Sequence, residues 1–210
     1  MVDLQYFIPA FVTLFVVMDP IGLTPLFLAL TQGMNTHQRR VIALRAAGVA
    51  GVLLTLFAFL GDNVLGFLGI SMAAFRISGG ILLLLTALDM LFERRTKRRK
   101  DTSEKTIDAE DDPSVFPLAM PLMAGPGAIA TMILLSGEGD GYSGVMLALV
   151  VMAMVLLITL VFFFAANLLE RMLRETGITV LTRLLGMLLA ALAVQFVLDG
   201  LKDFGLFGMG

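Results

Sequence analysis

The chain has 210 residues, of which 58% are hydrophobic and 15% charged, and its mean hydropathy is +0.93. Soluble domains are near half apolar and a quarter charged, so this composition excludes a soluble globular protein and indicates an integral membrane protein with no separate soluble domain. The formal net charge of −2 gives no ground for a nucleic-acid partner, and the absence of cysteine excludes disulfides, thiolate catalysis and cysteine metal sites.

A membrane-spanning helix needs about 20 mostly apolar residues. Six segments qualify: 4–31, 41–60, 66–91, 115–136, 143–169 and 178–200. The opening "MVDLQYFIPAF" lacks a basic region ahead of its apolar run and reads as a first span, not a removed signal peptide. Further along that span, "VVMDPIGLTPLF" sets Asp19, Pro20, Gly22 and Pro25 within seven residues. Each proline lacks an N–H and clashes with the preceding turn. This predicts unwound chain over 19–24, with Gly22 easing the turn and the helix restarting at Pro25 with Thr24 as its N-cap. Leu4 to Asp19 is about 22 Å of helix, over half of a roughly 30 Å hydrocarbon core. A carboxylate at that depth costs about 2.5–3.5 kcal/mol, so Asp19 is a functional candidate; the alternative is that it only caps a helix end, and the two roles are compatible.

His37 falls in the polar connection after span 1 and is expected to be solvated. In span 3, Arg76 lies about a third of the way in and needs an acceptor, either freed carbonyls or a carboxylate, as a structural tie or a gate. Residues 92–114 form a charged connection, basic then acidic, and read as a flexible loop. In span 4, Pro117 is expected to open the helix with Ser114 as its cap, and "MAGPGAIAT" predicts a second break at Gly125, Pro126 and Gly127, followed by Thr131. In span 6, Arg183 is placed to snorkel and Gln195 to bond between helices. Gly48, Gly51, Gly79, Gly80 and Gly186 are assigned to close helix packing.

Arginine and lysine cluster in the first, third and fifth connections, while the opposite connections hold acidic residues and no basic one. By the positive-inside rule the basic connections are cytoplasmic and both termini lie outside. The halves also match weakly: Arg76 and Gly79 recur as Arg183 and Gly186, "GIS" at 69–71 as "GIT" at 177–179, and Pro20 as Pro126. Three spans per half force the second copy to enter upside down. The expected fold is therefore all-α, six transmembrane helices as two inverted three-helix repeats, 1–91 and 115–210, with helices 1 and 4 broken. Two breaks facing each other at mid-membrane would offer half-helix N-termini to a carboxylate and carbonyls or Asp19 to an ammonium, a pocket for a small zwitterion.

"MDPIGLTPLF" and "AGPGAIAT", in a six-span chain of this length, resemble the MarC family of bacterial and archaeal inner-membrane proteins, a likeness covering nearly the whole chain. The resemblance implies an inverted 3+3 fold and, through family members of the SnatA type, a small neutral amino acid such as glycine or alanine as cargo. It carries the substrate site onto Asp19, Pro20, Gly22 and Thr24, and onto Gly125, Pro126, Gly127 and Thr131. The expected protein is a secondary transporter in the inner membrane. Its partners are the zwitterion and the lipid bilayer, it needs no cofactor, and its coupling ion, sodium or proton, is left open. An exporter of another metabolite or drug is the alternative. No GxxxxGK[ST] or HExxH motif is present and no embedded histidine, so no catalytic or metal-binding residue is assigned.

Overall fold

The computed structural model describes residues 4–92, 112–137 and 142–205. Among these residues eight helical elements follow in order: α1 (Leu4–Met18), α2 (Pro20–Leu30), α3 (Thr36–Phe67), α4 (Met72–Leu91), α5 (Ser114–Met123), α6 (Pro126–Ser136), α7 (Tyr142–Phe164) and α8 (Ala166–Asp203). Among the described residues, five stretches are long and apolar enough to cross a membrane: Tyr6–Leu30, Thr36–Gly61, Met72–Leu91, Ser143–Phe164 and Thr176–Asp203. The pair α5–α6, bent by 58°, makes a sixth if it counts as one span. The protein is an all-helical, multi-pass membrane protein. Most of the charged connection expected at 92–114 lies outside the described residues.

Several boundaries differ from the sequence expectation, each for a local reason. α3 begins at Thr36, before its apolar run, because Asn35 and Gln38 form a reciprocal capping box. His37 therefore sits exposed in a helical first turn, not in a loop. α3 then runs on to Phe67, and the turn to α4 contains Gly69 at φ 70°, a dihedral suited to glycine. Ser71 caps α4 by accepting from the Ala74 amide, so Arg76 lies in the second turn of its helix instead of a third of the way along it. The connection expected between spans 5 and 6 is helical, and only Ala165 separates α7 from α8.

α5 is the most irregular element. Phe116 and Met120 are extended, at φ/ψ of −126°/125° and −128°/125°, and each precedes a proline in a cis peptide bond. A residue before proline is driven out of the helical region by the pyrrolidine ring, and here that happens twice, four residues apart. The break expected at Gly125–Gly127 is thus preceded by a ten-residue element that two extended residues interrupt, and Ser114 does not cap it. Instead, the Ser114 amide donates to Asp112, whose carboxylate also pairs with Arg45 of α3 at 2.9 Å. The Ser114 amide foremost holds the Asp112 carboxyl below the usual aspartate range, against the opposing effect of burial, and the Arg45 guanidinium adds to the lowering.

Between helices surrounded by lipid, close packing takes over from the hydrophobic effect, and small residues make it possible. α4 and α8 run antiparallel along a glycine seam. A Cβ added to Gly80 would lie 2.8 Å from the Ala193 carbonyl oxygen, one on Gly186 3.0 Å from the Met90 Cβ, and one on Gly200 3.0 Å from the Ala73 carbonyl oxygen. α3 and α7 are antiparallel as well, with Gly51 against Leu156 and Thr55 against Met152. α1 and α2 pack on α7; α5 and α6 pack on α3. α6 lies on α4, and α2 on α8. Leu14, Met18, Leu23, Leu83, Met123, Met132 and Leu189 fill the centre of the bundle.

Candidate functional site

Asp19 joins α1 to α2 in the left-handed conformation, φ 54° and ψ 65°. It is the one non-glycine residue with positive φ among the described residues. Aspartate tolerates this conformation better than most because its short side chain bonds locally. Here its Oδ1 accepts from the Gly22 amide at 3.0 Å, capping α2, whose first position is Pro20. Backbone bonds continue across the interruption, from the Asp19 amide to the Phe15 carbonyl and from the Leu23 amide to the Asp19 carbonyl, both 2.9 Å. The expectation of six unwound residues is therefore corrected to one. An aspartate cap followed by a proline at the first helical position restarts the helix at once. Pro25 then sits inside α2, and Thr24, expected as a cap, donates its hydroxyl to the Pro20 carbonyl at 2.8 Å.

The second interruption has no side-chain cap. Gly125 occupies the cap position of α6 in extended conformation, and Pro126 takes the first helical position. Only glycine fits at 125, because a Cβ there would lie 2.5 Å from the Pro121 carbonyl oxygen. A Cβ on Gly127 would meet Val17 Cγ1 at 3.1 Å, Leu83 Cδ2 at 3.5 Å and Thr86 Oγ1 at 3.7 Å. The first turn of α6 is thus pressed against the last turn of α1, two residues before Asp19. Thr131 donates to the Gly127 carbonyl at 2.8 Å, as Thr24 does to Pro20 in α2. Both threonines are buried and keep acceptor lone pairs free for other groups.

Asp19 is 1% exposed, and Pro20 and Gly127 are buried with it. Gly22 and Gly125 are half-buried and Pro126 is exposed. The site is closed around Asp19. Arg76 does not join it: its guanidinium pairs with Asp203 near the end of α8. The α4 residues that touch Gly127's position are Leu83 and Thr86, about 10–15 Å further along the helix. Gln195 bonds Asp199 one turn away on its own helix, so it does not bridge helices as expected.

Two side chains at the interruption went unassigned in the sequence. The Thr159 hydroxyl, bonded to the Val155 carbonyl at 2.8 Å, lies 3.5 Å from the Met18 sulfur. One turn beyond Thr159, Phe163 stacks on Phe27 of α2 with ring centroids 4.4 Å apart. Thr159 had a readable signal, being the only polar side chain between residues 145 and 164. The aromatic pair had none, since α7 is phenylalanine-rich at that end.

An all-helical membrane bundle with a buried carboxylate at a helix interruption defines a class wider than one family. The sequence narrows it: the pattern of MarC family integral membrane proteins matches residues 4–204, and the chain belongs to the MarC family. Among its relatives, the "UPF0056 membrane protein MJ1677" of Methanocaldococcus jannaschii is 38% identical over 203 residues, covering 95% of this chain and 98% of that one. A "UPF0056 membrane protein" of Aquifex aeolicus is 37% identical over 200 residues, covering 94% and 92%. The "UPF0056 membrane protein YhcE" of Escherichia coli is 35% identical over 201 residues, covering 95% and 94%. No solved structure matches.

Proposed function

We propose that the chain is a secondary transporter of small neutral amino acids, of the glycine and alanine type, working by alternating access around the junction of α1, α2 and α6. One observation carries this reading: Gly127 lets the start of α6 close on Val17, beside the buried carboxylate of Asp19 that caps α2. The N-termini of α2 and α6 and the Asp19 carboxylate offer the partners that the carboxylate and ammonium of a zwitterion need. In the closed state Asp19 occupies the Gly22 amide itself. An arriving cargo carboxylate takes that amide over and frees Asp19 for the cargo ammonium. The prolines and glycines hold the two helix starts, and Thr24 and Thr131 contribute their remaining lone pairs. Arg76, with Asp203, ties the ends of α4 and α8.

The helix packing supports an inverted pair of three-span repeats with helices 1 and 4 broken. The third spans of the halves, α4 and α8, run antiparallel, and so do the second spans, α3 and α7. Each broken first span packs on the other half's second span, and α6 on α4 is mirrored by α2 on α8. Such a pair rocks about its shared site to give alternating access. The arginine-rich connections set the termini outside an inner membrane.

The test is uptake of labelled glycine and alanine into proteoliposomes, with sodium and proton gradients imposed separately. Saturable uptake competed by small neutral amino acids is expected, and the effective gradient identifies the coupling ion. No uptake under either gradient overturns the amino-acid assignment in favour of a different small metabolite or drug.

A further inference from the structure

A cavity of about 350 Å³ opens where three apolar helices reach their ends: α2 stops at Leu30, α3 starts at Thr36 and α7 stops at Phe164. It therefore straddles the level at which hydrocarbon gives way to headgroups. Its lining divides the same way. Phe27, Phe163 and Phe164 form an apolar floor, and Arg39, Arg40 and Asn167 stand on a polar rim. Among the described residues, the lining holds two guanidinium groups and no carboxylate. Arg39 is fixed in place: its Nε donates to the Thr31 carbonyl at 3.2 Å and a terminal nitrogen reaches Asn167 at 3.5 Å. The floor is rigid where Phe27 stacks on Phe163, while Phe164 is 52% exposed on the outside of the bundle.

A soluble anion would use only the rim. A ligand that fills rim and floor together carries a phosphate at one end and hydrocarbon at the other. Guanidinium groups suit phosphate oxygens, and basic pockets between spanning helices recognise anionic headgroups. We propose that this cavity binds the headgroup of an anionic phospholipid, its phosphate on Arg39 and Arg40 and its first acyl carbons against Phe164. The site is independent of the cargo assigned above.

Native mass spectrometry of the full chain in detergent tests this, titrating phosphatidylglycerol against phosphatidylcholine of the same acyl chains. The wild-type chain should bind phosphatidylglycerol saturably and more tightly. Arg40→Gln should weaken it about fivefold, the worth of one arginine at a charged membrane surface. Arg39→Gln with Arg40→Gln should erase the preference, and Arg45→Gln, whose arginine pairs with Asp112 outside the cavity, should keep it. The single Arg40 variant retains both Arg39 hydrogen bonds, so it reports on the site even if the double variant misfolds. A preference that survives the double variant overturns the proposal. Displacement of phosphatidylglycerol from the wild type by millimolar inorganic phosphate overturns it too, by giving the rim to a soluble anion.

Discussion

Asp19 combines a helix cap, a left-handed backbone and a buried charge, and two substitutions separate them. Asparagine keeps an acceptor oxygen for the Gly22 amide and tolerates the left-handed region, but carries no charge. Alanine keeps none of these and loses about 1 kcal/mol of capping as well. Asp19→Asn should therefore melt like the wild type in detergent and fail to accumulate cargo, while Asp19→Ala should also melt lower. Full uptake by the asparagine variant would confine Asp19 to capping. The sequence made this residue conspicuous because a carboxylate in an apolar span is costly. It did not reveal which residue caps α2, because Asp19 before Pro20 and Thr24 before Pro25 are equally good signals. The left-handed turn at Asp19 decides between them, and it satisfies α2 so early that Thr24 turns its hydroxyl to the Pro20 carbonyl.

Among the elements, the antiparallel seam of α4 and α8 has the least slack. Gly80→Ala would place a methyl 2.8 Å from both the Ala193 carbonyl oxygen and the Val197 Cγ2. Backbone on the far side cannot move aside cheaply, so a loss of about 1–3 kcal/mol is expected, the usual cost of overpacking. Gly48→Ala meets nothing within 4 Å and should cost nothing. Thermal denaturation of the two variants side by side checks the contrast, and equal melting temperatures would mean that the seam is loose. Gly80 and Gly186 were legible as packing glycines because they sit in unbroken apolar runs. Gly200 was not, since the charged residues after it resemble a helix end. α5 was the least legible element: a single Pro117 reads as a helix opener, whereas Pro117 and Pro121 in series take the backbone through two extended residues. The early start of α3 escaped for a different reason, because its capping box stands ahead of the apolar run that marks the span.

For the molecule as a whole, apolar length and charge placement made the helical class and the order of spans readable, since both are one-dimensional properties of the chain. Which helix leans on which is not one-dimensional, and the contact between Gly127 and Val17 has no signature in either motif alone. The proposed topology is testable with a reporter fused after Gly210, which should read as outside; a cytoplasmic signal would reverse the orientation of every span. One consequence of the packing concerns electrical work. Phe27 of the interrupted span and Phe163 of α7, 1% and 2% exposed, lie face to face where they line the arginine-rimmed cavity. Rings 4.4 Å apart leave no room for water between their faces. Moving one elementary charge through the full voltage takes about 2.3 kcal/mol per 100 mV. On the proposed transport reading, an ion carried across the membrane does that work, whereas a cargo whose charges cancel crosses at almost no electrical cost.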